Sequence, residues 1–165
     1  MKVSTMLPFL AICTILIFTS CSTESLNEEE ILTEELATPP QAKPLEIEIL
    51  ELINAHRINN GLNTLNDNGT VKAVAYTHTD YMVEVNTVSH DNFYVRKQSL
   101  QENENARVVS ENVAYSYTSA QSVVNAWLNS PSHRSNIEGD FTDFDISAEQ
   151  NEDGKWYYTN IFIKR

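Results

Sequence analysis

The chain has 165 residues, enough for one domain once a targeting segment is set aside. Its formal net charge is −12, with 23 Asp and Glu against 11 Lys and Arg. Apart from Arg96-Lys97 and Lys164-Arg165 the basic residues stand singly, so no basic stripe exists to hold phosphates and nucleic acid is not an expected partner.

The N-terminus, "MKVSTMLPFLAICTILIFTSC", has a cation at Lys2, an uncharged and mostly apolar run from Met6 to Phe18, and small residues before Cys21. This pattern predicts a secretory signal peptide over residues 1–20. The apolar run is shorter than the roughly 20 residues that span a bilayer, which argues against a permanent transmembrane helix. Small residues just before a cysteine resemble the lipobox of bacterial lipoproteins, in which the cysteine is acylated and becomes the new N-terminus. Phe18 stands where such boxes usually carry Leu. The alternative is an ordinary cleaved signal with Cys21 incidental. The chain has two cysteines, Cys13 and Cys21, and Cys13 leaves with the signal, so no disulfide forms within the mature monomer. Lipidation at Cys21 accounts for the remaining thiol. It predicts a lipid-anchored protein outside the cytoplasm, in a bacterial envelope, at the outer membrane or cell surface.

Residues 21–44 read as a tether. The stretch "STESLNEEEILTEELATPPQAKP" holds six glutamates and a Pro-Pro pair but no aromatics, and so has little to bury. The folded domain is expected over 45–165. In "LEIEILELINAHRIN", Ile47, Leu50, Asn54 and Ile58 recur at helical spacing, with Gly61 as the stop. A second helix is predicted in "GTVKAVAYTHTDYMVEVN", on a stripe of Val71, Val74, Ala75, His78, Met82 and Val85. Residues 92–105 are polar and ambiguous between a loop and a short helix.

"RVVSENVAY", over 107–115, is β-branched and predicts a strand. In "TSAQSVVNAWLNSP", Thr118 and Gln121 suggest a capping box for a helix that Pro131 ends. Towards the C-terminus the period changes to two: Phe144, Ile146 and Ala148 alternate with polar residues. Asp153-Gly154 then signals a hairpin into a β-rich run from Trp156 to Ile163. The order of elements predicts an α+β domain.

Four histidines lie in the domain. His56, at a helix end, is expected to meet the last carbonyls. His78, on an apolar stripe, is expected to be a hydrogen-bonded core residue. His90 in "VSHDNF", Glu111 in "SENVAY" and His133 after Pro131 fall at the edges or ends of elements, where functional side chains project. No H-E-x-x-H or C-x-x-C run is present.

The runs "AVAYTHTDYM", "VSHDNF", "SENVAY", "WLNSPSHRSNI" and "WYYTNIF", in that order, resemble the CAP superfamily of cysteine-rich secretory proteins, antigen 5 and pathogenesis-related proteins. "LINAHRINNGLNTL", with Asn54 and Arg57, is similar to the opening helix of that family's SCP domain. The resemblance covers about residues 45–165. It implies a three-layer α-β-α sandwich with a small central antiparallel sheet and a cavity lined by two histidines and two acids. By motif these positions fall on His90, Glu111 and His133, while the second acid is replaced by Ser130. The resemblance further implies that His133 turns inward toward Glu111 and His90, with Asn136 and Ile137 anchoring the turn.

Two imidazoles and a carboxylate are candidate ligands for Zn²⁺ or another divalent metal. His90, Glu111, His133 and Ser130 are also the candidates for hydrolytic chemistry, although no glycine-rich oxyanion loop accompanies them. The expected function is a membrane-anchored binding module for an envelope component, lipid or protein, rather than an enzyme. The competing reading is a metal-assisted or His/Glu-based, protease-like hydrolase.

Overall fold

The structure is a computed structural model that describes residues 38–165. The signal peptide, Cys21 and most of the tether lie outside the described residues.

Helix α1 (Pro44–Asn59) starts on Pro44 at its first position, and the backbone amide of Lys43 donates to Glu46 Oε2 at 2.7 Å. The predicted apolar stripe is not the one it buries. Ile47 and Ile58 are 46% and 60% exposed, while Glu46, Ile49, Ile53 and Arg57 face inward. The cause is polar. Glu46 pairs with Lys72 Nζ at 2.8 Å and accepts from the Ala148 amide at 2.8 Å. Arg57 donates to the carbonyls of Asn63, Ile137 and Gly139. Buried charges with such partners occupy positions that a hydrophobicity pattern assigns to the surface.

After the two-residue β1 (Asn66–Asp67), α2 (Gly69–Glu84) is capped by the Asn68 side chain, which accepts from the Val71 amide at 3.0 Å. Its predicted stripe is buried from Val71 to Met82, whereas Val85 lies past the helix end and is exposed. The ambiguous segment forms a full helix, α3 (Phe93–Glu104), that buries Arg96 and Leu100. Asn92 and Asn105 bracket it in the left-handed conformation, at φ 57° and 55°, which asparagine tolerates.

Strand β2 (Val108–Tyr115) and helix α4 (Ala120–Asn129) follow. The cap of α4 is Ser119 with Ser122 rather than Thr118 with Gln121, and Gln121 instead bonds Asn125 along the helix. Pro131 does not simply stop the chain. After one extended residue, Ser130, it opens a further helix, α5 (Pro131–Ile137). Proline at a first helical position loses only an amide that would have had no partner.

Strands β3 (Asp143–Gln150) and β4 (Trp156–Lys164) close the chain as the expected hairpin, with Gly154 at φ 71° in the turn. The sheet order is β1-β3-β4-β2. It is antiparallel except for the short parallel β1–β3 pair. One apolar cluster joins α1, α4 and α5 to one sheet face, through Ile49, Ile53, Trp127, Ile137, Phe144 and Phe162. A second joins α2 and α3 to the other face, through Val71, Val74, Leu100, Val109, Ile161 and Ile163. The fold is therefore an α+β three-layer sandwich. Strand β2 is an edge, yet two of its outward carbonyls are taken. Glu111 O accepts from Asn136 Nδ2 at 3.2 Å, and Val113 O accepts from Trp127 Nε1 at 3.1 Å.

Candidate functional site

Alternate residues of β2 point to opposite sheet faces. Glu111 points toward α3 and Asn112 toward α5, so a site at this edge draws on both outer layers.

The Glu111 side chain is 2% exposed. Arg96 approaches it as a fork, Nε to Oε2 at 2.7 Å and Nη2 to Oε1 at 2.8 Å. The remaining arm of Arg96, Nη1, donates to the Asp91 carbonyl at 2.6 Å, which ties the guanidinium to the loop before α3. His90 Nδ1 meets Glu111 Oε1 at 2.7 Å, with the imidazole itself 53% exposed. Burial opposes ionisation of Glu111, but hydrogen bonds from His90 and Arg96 and the charge of Arg96 outweigh it, and the carboxyl lies below its usual value. An ionised carboxylate only accepts, so Nδ1 of His90 carries the proton and Nε2 faces outward.

The loop bearing His90 is held from beneath. His78 is 3% exposed and its Nε2 donates to the Ser89 carbonyl at 2.9 Å. Burial, reinforced by the charge of Arg96, holds its pKa below the ordinary histidine value. His78 is thus the hydrogen-bonded core residue expected from its stripe. His56 is different: its Nε2 meets Glu138 Oε1 at 2.9 Å, where the expectation was the last helix carbonyls.

His133 comes from the other layer. Asn112 Nδ2 donates to the His133 carbonyl at 3.0 Å, and Asn136 Nδ2 donates to Asn112 Oδ1 at 2.8 Å. Ile137 is fully buried beneath them. This asparagine pair and the isoleucine dock α5 on β2. Burial and then the charge of His90 lower the pKa of His133, so His133 lies within the field of His90. Ser130 sits at the α4–α5 junction, with its Oγ 3.3 Å from Ser132 Oγ. Its partner is another hydroxyl, not an imidazole.

A cavity of about 240 Å³ opens beside these groups, lined by His90, Phe93, Val109, Ser110 and Glu111. Among the described residues, no group of three or more His, Cys, Asp and Glu side chains is arranged to hold a metal ion. Both Glu111 oxygens are directed at Arg96 and His90. The nitrogen donors left to a cation are His90 Nε2 and the His133 ring, with Glu111 behind His90 as an orienting partner.

Arg96 is the residue that the sequence reading passes over, because in "RKQSL" nothing separates a buried arginine from the exposed Lys97 beside it. The stripe Phe93, Arg96 and Leu100, at helical spacing, is the signal that would have found it. At the other end of β2, Tyr157 is buried, and Tyr115 packs on it with ring centroids 4.7 Å apart.

Comparison with known proteins agrees with this architecture. The pattern of the CAP cysteine-rich secretory protein family matches residues 50–162. An uncharacterized membrane protein, YlbC, of Bacillus subtilis (strain 168) is 33% identical over 124 residues, which cover 73% of this chain and 34% of that protein. The chain therefore corresponds to about a third of the length of that relative. The structure of an outer surface protein from Borrelia burgdorferi superposes with a TM-score of 0.64 at 25% identity, covering 71% of this chain and 90% of that one. An extracellular SCP-domain protein from Bacillus anthracis gives a TM-score of 0.62 at 27% identity, covering 73% of this chain and 40% of that one. Matched over most of its described length by pattern and by fold, the chain belongs to the cysteine-rich secretory protein (CAP) family.

Proposed function

We propose that this CAP domain is an extracytoplasmic binding module, held at a bacterial membrane by a lipid on Cys21, that takes an envelope lipid or protein at the His90 cavity. The observation that carries the reading is the engagement of Glu111. With Arg96 on both oxygens and His90 on one, the acid orients an imidazole and is not itself a free base. Ser130 bonds Ser132 rather than a histidine, so that imidazole does not activate the candidate nucleophile. What the site offers is an oriented ring, a small pocket walled by Phe93 and Val109, and a second imidazole from α5.

With no group of three such ligands among the described residues, a divalent cation would be at most a weakly held guest of His90 and His133. When bound it would supply a positive charge for an anionic ligand group. The names of the similar proteins support the placement: one is called a membrane protein, one an outer surface protein and one extracellular.

The test is a photo-crosslinking side chain at Ser110, on the pocket wall, in cells. An envelope lipid or protein should be trapped in the parent chain, and the adduct should be lost on adding His90→Ala and His133→Ala. Turnover of peptide or ester substrates that depends on the same two histidines would replace this reading with a hydrolase. Cys21→Ala should release the protein from membranes and abolish fatty-acid labelling. A variant that still fractionates with membranes would sink the lipid anchor.

A further inference from the structure

The helical stripe that the sequence singles out on α1 is only partly used by the core, which Leu50 touches from its edge. Ile47 and Ile58 are exposed, and with Leu50 they run along about 16 Å of helix, at the usual rise per residue. They line a cavity of about 550 Å³, a size in the range of small-molecule sites. Across it lie Lys72, Asp67 and Asp145, at the β1–β3 corner of the sheet. None of these residues takes part in the His90 site.

The charges in this cavity do not balance. Lys72 is the one cation in the lining, and its ammonium is already committed, 2.8 Å from Glu46 Oε2 and 2.6 Å from the Ile146 carbonyl. Three carboxylates, Glu51, Asp67 and Asp145, share the same lining. Asp145 is the deepest, at 9% exposure. It accepts only backbone amides, from Ile146 at 2.8 Å and Asn68 at 3.3 Å. Burial pushes its pKa up to about 6, against the pull of those amides and of Lys72, so its charge lacks compensation. A buried carboxylate short of a counter-charge at one end of an aliphatic wall is complementary to one class of ligand.

We infer that the α1 cavity binds a cationic amphiphile, with an aliphatic chain laid along Ile47, Leu50 and Ile58 and an ammonium at Asp145 and Asp67. The acidic segment that precedes Thr38 has the wrong sign for this role, since its six glutamates would add to the carboxylates already there.

The experiment is an NMR titration of the mature protein with n-octylammonium chloride, with sodium octanoate and octanol in parallel. Octylammonium should bind saturably and shift the Ile47, Leu50, Ile58 and Asp145 signals, and octanoate should not bind. Asp145→Asn should weaken octylammonium about tenfold, the loss of one effective charge contact. Ile58→Asn, at an exposed position that does not hold the core, should weaken it about threefold through lost apolar contact. The unfolding midpoint of each variant checks that it is folded. Equal affinity for octanol or octanoate, unchanged affinity in Asp145→Asn, or shifts confined to other surfaces would each overturn the inference.

Discussion

Glu111 and Arg96 bury opposite charges against one another in fork geometry, so the cost of disturbing them depends on which partner goes. Glu111→Gln leaves a guanidinium with 3% exposure facing a neutral amide, and should cost about 3–5 kcal/mol in urea unfolding. Removing both charges with apolar residues of similar volume should recover much of that loss, because no unpaired charge remains. A double variant as unstable as the single would mean that the pair's packing, not its charge, holds the site.

Asp145 has the opposite sign. Its folded pKa, about 6, is raised above the ordinary 3.8. The stability it contributes is full below about 3.8 and is lost as pH rises through about 6, a loss on the order of 3 kcal/mol at neutral pH. Asp145→Asn should therefore gain on the parent chain between pH 4 and pH 6.5 and hold a constant advantage above. A stability difference that is flat with pH would show that the aspartate's charge is already compensated. Glu111, with its lowered folded pKa, stabilises above the ordinary 4.5 and loses that contribution as pH falls through its folded value.

Among the elements, α5 is the piece whose docking decides whether two histidines form one site. Asn112 is fully buried and bridges the His133 carbonyl to Asn136. Asn112→Ala removes both bonds and should cost about 1–3 kcal/mol, the usual range when buried partners are left unsatisfied. The His133 ring signals should move while those of His90 stay nearly fixed. If His133 is unmoved, Ile137 alone suffices to seat the helix.

What the sequence showed of these elements follows from how they are buried. Helix α2 and strands β3 and β4 were legible because apolar side chains carry their pattern. Helix α1 was found, but with the wrong face inward, because Glu46 and Arg57 are buried by specific pairing. Helix α5 looked like a stop, since a proline that ends one helix also starts the next. His90, Glu111 and His133 were legible only through the family motifs, and Arg96 was missed because its partner is 15 residues away on another element.

In the whole molecule, strand β4 is the shared wall of two separate cores. Phe162 and Tyr158 belong to the cluster under α1, α4 and α5, and Ile161 and Ile163 to the cluster under α2 and α3. Both cysteines precede residue 38, so no disulfide couples the layers, and the sheet must do so. Ile161→Ala opens a cavity on the α2 face and should cost about 2–5 kcal/mol. Both tryptophans report on the other face: Trp127 is in the first cluster and Trp156 packs against it. If β4 makes the layers one cooperative unit, Ile161→Ala should lower the tryptophan fluorescence midpoint and the helical circular-dichroism midpoint by the same amount. A fluorescence transition that stays at the parent midpoint, while helix signal is lost earlier, would mean that the α2–α3 layer peels away alone. The His90 site would then be split, because Arg96 and the His90 loop belong to that layer, while Glu111 on β2 and His133 would remain on the half that stays folded.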